Sequence, residues 1–532
     1  KLTITDQSKS TLSLELKIDD YDIKEINDGK EILHEVVLSS ITIPNDKGKP
    51  NLPSVNRFIA VPNNAKAKVV VNNYKKEILK NINIAPSRGV VSEYDTTNSD
   101  YIKDSDIYSK DELFPANIVS ITEDINLRGV EAIGLNISPI QYNPVRKELI
   151  VYTEIELSIE YEGGDSKFGD DRLRSMHWDP ILQHNILNYN SLPEINYSER
   201  FQQWIADNAE GAEYLIIIPD DESFREQAQR LADYRNKQGI ITKVYSLDEM
   251  NAHSHEEIRD WFVDAYNNWD IAPVAVCILG DYNIYAKDGI PAFIFDFNEY
   301  GEKYISDRPF SDIDDDFIPE IAFSRLSADN AEEARIMVDK QINYEFLNPV
   351  MDEEFYDRPL LTSAYQQSKW FQISAACLKG HLQTLGKDPN TISMIYNYEG
   401  NYNEDIWSSA DNSDQVVNYF GPNGLGYIPA TPGEMGGFIE YENSETLPST
   451  ISQNPGYIVL NRDHGWYSLW SCPNLRSSGV RTMTNYDKLP FVLSINCASG
   501  AFNQDDCLTE AFMKLENAGS VGVIAPTFES HT

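Results

Sequence analysis

A chain of 532 residues is too long for a single hydrophobic core, so two to four domains are expected, and 41% hydrophobic with 11% aromatic residues excludes wholesale disorder. Asp and Glu outnumber Lys and Arg by 84 to 44, and the formal net charge of −40 argues against a nucleic-acid or anionic-membrane partner. Five cysteines without a C-x-x-C pair exclude a disulfide scaffold and a thiolate zinc site, and no apolar run is long enough to span a bilayer.

Residues 1–165 read as an all-β, sandwich-like domain. Along 151–161, Val151, Thr153, Ile155, Leu157, Ile159 and Tyr161 alternate with polar neighbours such as Glu154, Glu156 and Glu160. That period of two predicts an antiparallel strand with one face on a core. Shorter β-like runs fall at 35–38, 58–61, 68–71 and 131–137, and 85–117 is expected as a long exposed loop. Residues 166–212 read as a connector, with apolar pieces such as 178–187 able to dock on a neighbour.

From 213 the pattern changes to strands alternating with helices. Tyr214–Ile218 and Val274–Leu279 are continuous apolar runs, as in strands buried on both faces. Ser223-x-x-Glu226, Ser254-x-x-Glu257 and Asp329-x-x-Glu332 each predict a helix start. A second α/β unit is expected over 351–532, with strands at 360–364, 457–460, 489–496 and 522–525, helices at 370–385 and 508–516, and a long surface insertion at 397–448. The first unit takes 213–350, and both should hold mainly parallel sheets. The start at Lys1 in strand-like sequence reads as a mature or trimmed chain, and the stop at Thr532 straight after a strand as a fragment or processed chain.

Open α/β sheets bind ligands beyond the carboxyl ends of their strands. One such end runs into His464-Gly465 and another into Cys497. If the two strands are neighbours, an imidazole stands beside a thiol, the minimum for a cysteine nucleophile. Gly465 lets the backbone approach a substrate, and its amide can serve an oxyanion.

These residues resemble the gingipain-type cysteine peptidases of caspase-like fold. The similarity rests on Asn454-Pro455-Gly456-Tyr457-Ile458-Val459-Leu460 leading to His464-Gly465, and on Leu489-Pro490-Phe491 leading to Asn496-Cys497. It extends to Asp506-Cys507-Leu508-Thr509-Glu510-Ala511-Phe512 and, in the N-terminal part, to Leu52-Pro53 with Phe58-Ile59-Ala60-Val61-Pro62 and to Ile140-Gln141-Tyr142-Asn143-Pro144-Val145. The resemblance implies a secreted or cell-surface zymogen. Its pro-domain would inhibit the catalytic unit until cut within 166–212. Cys497 would attack the peptide carbonyl to form a thioester, His464 would take and return the proton, and the amides of Gly465 and Cys497 would form the oxyanion hole. Protein or peptide substrates are implied, and no cofactor for the chemistry. A processing peptidase or transpeptidase of secreted proteins, or a protease-like surface binding module, are the alternatives.

Several positions depart from the family. Where it carries a third catalytic acid, this chain has Tyr365 followed by Gln366, so the histidine would be oriented by a hydroxyl, an amide or a backbone carbonyl. Asp463 replaces the usual glycine before the histidine and is too close in sequence to orient that ring. The helix at 371–376 carries no charge where arginine-specific members read a basic side chain, and the other wall of that pocket would come from Thr527, Phe528 and Glu529. Asp312, Asp314 and Asp316 alternate in one loop, with Glu320 beyond, like the start of a calcium loop. Phe317 stands where an EF-hand needs glycine, so the expectation is a structural calcium of the kind the resemblance implies.

Overall fold

The computed structural model describes residues 1–38, 46–89, 101–283, 289–297, 303–347, 351–396, 402–410, 413–439, 446–504 and 506–530. The chain divides into two compact units, with the boundary between Ala209 and Glu210.

The N-terminal unit is built from antiparallel strands. Its largest sheet runs Leu2–Gln7, Thr11–Lys17, Glu148–Gly163, Ala65–Lys80, with Ile140–Asn143 paired beside one end of Glu148–Gly163. A second sheet places Val130–Ile137 between Val55–Ala60 and Val119–Leu127. Leu12, Leu14 and Leu16 stand opposite Ile159, Leu157 and Ile155, and all six are buried. The predicted alternation holds from Ile155 to Tyr161. A register shift between Tyr152 and Glu154 breaks it, so Tyr152 is buried and Thr153 only half-buried.

The segment read as a connector folds onto this unit. Ile186 bridges to Phe58, the Asn188 side chain bonds both the amide and the carbonyl of Ala60 at 2.8 and 2.9 Å, and Arg128 Nε donates to the Leu173 carbonyl at 2.9 Å. Its last part is the least covered: the helix Tyr197–Asp207 buries none of its residues, though Tyr197 and Arg200 donate to Asp179 and to the Arg174 carbonyl. The loop expected from 85 also begins in the core: Ala85 and Ser87 are buried, and the Ala85 amide donates to the His34 carbonyl at 2.9 Å. Residues 90–100 of that loop lie outside the described residues.

The C-terminal unit holds two parallel sheets. The first has the order Thr242–Ser246, Tyr214–Ile218, Ala275–Leu279, Ala322–Leu326. The second runs Phe438–Ile439, Asn390–Ile395, Leu360–Tyr365, Ile458–Arg462, Phe491–Ile495, Gly522–Ile524. Every residue of Leu360–Tyr365 is buried, as expected for a strand covered on both faces. The helix His255–Asn268 opens with the predicted capping box of Ser254 and Glu257. Two other starts differ. Asn330, not Asp329, caps Ala331–Ile342 by accepting from the amides of Glu332 and Glu333, and Asp221 caps a short 3-10 turn where Ser223 was expected to cap a helix. The 397–448 region is not merely surface insertion. Trp407 and Ile428 pack on Ile373 and Ala376 of the helix Phe371–Thr384. Gly380 is required there, since a Cβ would come within 2.0 Å of the Tyr427 carbonyl oxygen.

A buried amine ties the two sheets' helices together. Lys340, on Ala331–Ile342, donates to the carbonyls of Phe512 and Met513 at 3.0 and 2.8 Å, at the end of the helix Leu508–Lys514. Burial pushes its pKa down to about 7, while a helix carboxyl end favours the charged form.

Candidate active site

The second sheet decides which side chains meet. Ser363 pairs with Arg462, and Arg462 with Ile495, and the first of these three neighbouring strands runs two residues further, to Tyr365. Just past those ends stand Gln366, His464 and Cys497. Because the strands are parallel, their carboxyl ends share one edge of the sheet, and residues far apart in the chain gather there.

His464 is oriented by Gln366. Its Nε2 lies 2.8 Å from Gln366 Oε1. An amide oxygen only accepts, so Nε2 carries the hydrogen and Nδ1 holds the lone pair that can take a thiol proton. The ring is further fixed by Phe371, edge-on at 5.0 Å, and by Tyr396 at 5.5 Å. Arg462 lies over Phe371 at 4.8 Å and donates to the Ile495 carbonyl at 2.8 Å. Tyr365, the other residue offered for this role, points elsewhere: its hydroxyl donates to the carbonyls of Ile406 and Asn403 at 2.9 and 3.2 Å.

Asp463 serves the backbone rather than the imidazole. Its carboxylate is fully buried and accepts from the Cys472 amide, while the Ser471 amide donates to the His464 carbonyl at 2.9 Å. Burial pushes its pKa well above the ordinary carboxylate range. These bonds fasten a small antiparallel sheet, Gly465–Trp466, Leu469–Ser471 and Asn474–Arg476, to the end of the histidine strand. Cys472, just past the end of that sheet's middle strand, is 1% exposed. Glycine at 465 has a packing reason: a Cβ there would stand 2.8 Å from the side chain of buried Asn496.

Cys497 is a half-buried free thiol. Ala498 follows in the left-handed region, at φ 55°, a conformation that costs a non-glycine residue about 1 kcal/mol or more and makes the turn sharp. The turn is held by two backbone bonds, Ala498 N to Phe528 O at 2.6 Å and Gly500 N to Pro526 O at 2.9 Å. The predicted pocket wall thus runs beside the cysteine. Phe528 packs between Phe297 and Tyr304, with centroids at 4.6 and 5.9 Å, the Thr527 hydroxyl donates to the Ile305 carbonyl at 2.5 Å, and Glu529 is exposed. The hairpin of Phe293–Asp296 and Lys303–Ser306 was not predicted, although the alternation Phe293, Phe295, Phe297 was there to find it.

The acidic loop is also assembled. One ligand atom from each of Asp312, Asp314 and Asp316 lies within 4.8 Å of the others. Asp312 is 5% exposed; its Oδ2 accepts from Arg308, and its Oδ1 has no hydrogen-bond partner among the described residues. Asp315 is turned away to Arg259. Glu320, named in the sequence but not placed with the three ligands, has its pKa pushed up to about 7 by burial and then by the three aspartates.

Comparisons with known proteins agree along the whole chain. The model of a family described as Peptidase family C25 matches residues 207–532, and one described as Propeptide_C25 matches residues 2–192. Gingipain R2 of Porphyromonas gingivalis is 24% identical over 539 residues, covering 99% of this chain and 64% of its own length. Lys-gingipain of the same organism is 20% identical over 515 residues, covering 93% of this chain and 26% of its own length. Among solved structures, the complex of Porphyromonas gingivalis RgpB pro- and mature domains is 26% identical, covers 36% of this chain and 97% of its own, and superposes with a TM-score of 0.33. This chain therefore spans less than two thirds of the length of Gingipain R2.

Proposed function

Because the chain belongs to peptidase family C25, we propose that it is the latent form of a secreted or cell-surface cysteine endopeptidase, with residues 1–209 as its inhibitory pro-part. The observation that carries the reading is the placement of His464 and Cys497 just beyond the ends of two paired parallel strands. The Cys497 sulfur attacks the scissile carbonyl carbon as its proton passes to His464 Nδ1. The amides of Gly465 and Cys497 donate to the oxyanion. The C–N bond then breaks, the imidazolium protonates the leaving amine, and a thioester remains. Water adds to the thioester, gives its proton to His464, and the released thiolate recovers it. No cofactor enters these steps. Among the described residues, no helix is long and apolar enough to cross a membrane.

The unburied helix Tyr197–Asp207 supports activation by a cut near it. A thiol-directed activity probe applied to the full chain after that cut should label Cys497. Absence of labelling would favour the alternative of a protease-like binding module.

Gln366 is the positioning residue for His464 in this reading. Gln366→Leu should lower kcat by about 10²-fold, since a mis-set catalytic ring loses its attack geometry, while KM stays within about threefold. Tyr365→Phe should cost far less, because its hydroxyl serves carbonyls of another loop. Equal losses from the two substitutions would remove Gln366 from its role.

The acidic loop supports a structural calcium held by Asp312, Asp314 and Asp316. The orphaned, buried Asp312 Oδ1 suits a hard cation with oxygen ligands. Calcium at about a hundredfold its Kd should add about 2.7 kcal/mol of stability. Calorimetry should show binding heat and a raised melting transition in the native chain and neither in Asp312→Asn/Asp316→Asn. A native chain indifferent to calcium would sink the assignment.

A further inference from the structure

We infer that the aromatic face formed by Phe295, Phe297, Tyr304 and Phe528 is a substrate subsite, and that the enzyme selects peptides with an aromatic or large apolar side chain close to the scissile bond. The inference rests on the catalytic reading of Cys497 and His464 and names the substrate class of that site.

Three observations carry it. The first is position: the Ala498 amide, next to the nucleophile, donates to the Phe528 carbonyl at 2.6 Å, so the Phe528 segment runs alongside the reacting sulfur. The second is continuity. Phe295 and Tyr304 are cross-strand partners stacked at 5.1 Å, Tyr304 reaches Phe528 at 5.9 Å, and Phe528 reaches Phe297 at 4.6 Å. Phe293, Phe295 and Phe297 fall two apart, so a strand period puts them on one face. The third is exposure: Phe297 is 42% exposed, and Tyr304 and Phe528 are only half-buried. Rings that served only to fasten a hairpin would be buried; a connected set left open beside a nucleophile has the character of a recognition surface. On the histidine side Trp466, directly after Gly465, is 58% exposed.

Of the charged groups nearby, Glu529 follows Phe528 and is exposed, and the hairpin's own charges cancel. Asp296 and Lys303, the acid and base of the hairpin strands, pair with each other at 3.3 Å. An apolar face discriminates by the area it takes out of water, so it should grade side chains by size and reject those that keep a charge.

The test uses the full chain after its activating cut, with matched peptides carrying Phe, Leu, Ala, Arg or Lys at each position around the cleavage point. Wild type should cleave the Phe peptide with a kcat/KM roughly tenfold or more above that for Ala, and above Arg and Lys, at one position. Phe297→Ser and Phe528→Ala, each checked for a retained melting transition, should cut the Phe/Ala ratio by roughly tenfold. Preference for Arg or Lys, or variants that fold and keep the wild-type ratio, would overturn the subsite while leaving the nucleophile in place. If Cys497 neither labels with a thiol probe nor cleaves any peptide, the catalytic reading fails, and the subsite with it.

Discussion

Cys497→Ala should reduce peptide hydrolysis by at least about a thousandfold without unfolding the protein, because every covalent step passes through that sulfur. Alanine keeps the β-carbon and removes a side chain that is only half-buried, so the turn to Ala498 and its bonds to the 526–528 segment should persist. His464→Ala should cost nearly as much, and the double variant little more than either alone, since thiol and imidazole act as one unit. Cleavage of a fluorogenic peptide library by the activated chain reads the loss, and the thermal transition reads the fold. Turnover that survives in the alanine variant at more than about one per cent of wild type would move the nucleophile elsewhere.

Trp470→Ala should be the most damaging substitution outside the dyad. Trp470 is fully buried, packs against Phe512 at 5.8 Å with Leu475, Val480 and Met483, and donates its indole N–H to Ser494 at 2.7 Å. Ser494 in turn donates to Asn496, next to the nucleophile, at 3.1 Å. The cavity alone should cost about 3–5 kcal/mol. The strand Leu469–Ser471 that carries Trp470 pairs with Gly465–Trp466, so hydrolysis should fall as well. Trp470→Phe, which keeps most of the volume and loses the N–H, should cost about 1–3 kcal/mol. Urea unfolding of the full chain separates the two, and a loss below about 1 kcal/mol for alanine would show that the small sheet is not part of the core.

Much of this was legible in the sequence where local pattern and tertiary role agree. Tyr214–Ile218 and Val274–Leu279 read as doubly covered strands because parallel strands are apolar along their whole length, and Ser254 with Glu257 read as a cap because both partners lie within one turn. The proposed dyad was readable only as two reactive residues after two such strands. What makes them neighbours is the pairing of Arg462 with Ile495, a long-range fact that no local pattern carries. The orienting group was left as a choice between Tyr365 and Gln366, because side-chain reach across a sheet edge depends on where the flanking loop goes, and the 403–406 loop captures the tyrosine. That the connector would dock was legible in its apolar piece at 178–187, but the surface it meets was not: Ile186 bridges to Phe58, and Asn188 satisfies both polar groups of Ala60. The 397–448 stretch looked like open loop from its Asn, Gly and Pro content, yet the buried rings of Trp407 and aliphatic Ile428 anchor it.

The register that brings the dyad together also separates two kinds of change. His464 and Cys497 stand two positions beyond the paired Arg462 and Ile495, so deleting or inserting one residue within either strand would carry a reacting group to the opposite side of the sheet. The hairpin of Phe293–Asp296 and Lys303–Ser306 lies outside both strands. Its side chains can be exchanged without altering that spacing. Selectivity is therefore free to drift among descendants of such a scaffold while the reaction itself stays fixed, and the taste of the enzyme should evolve faster than its chemistry.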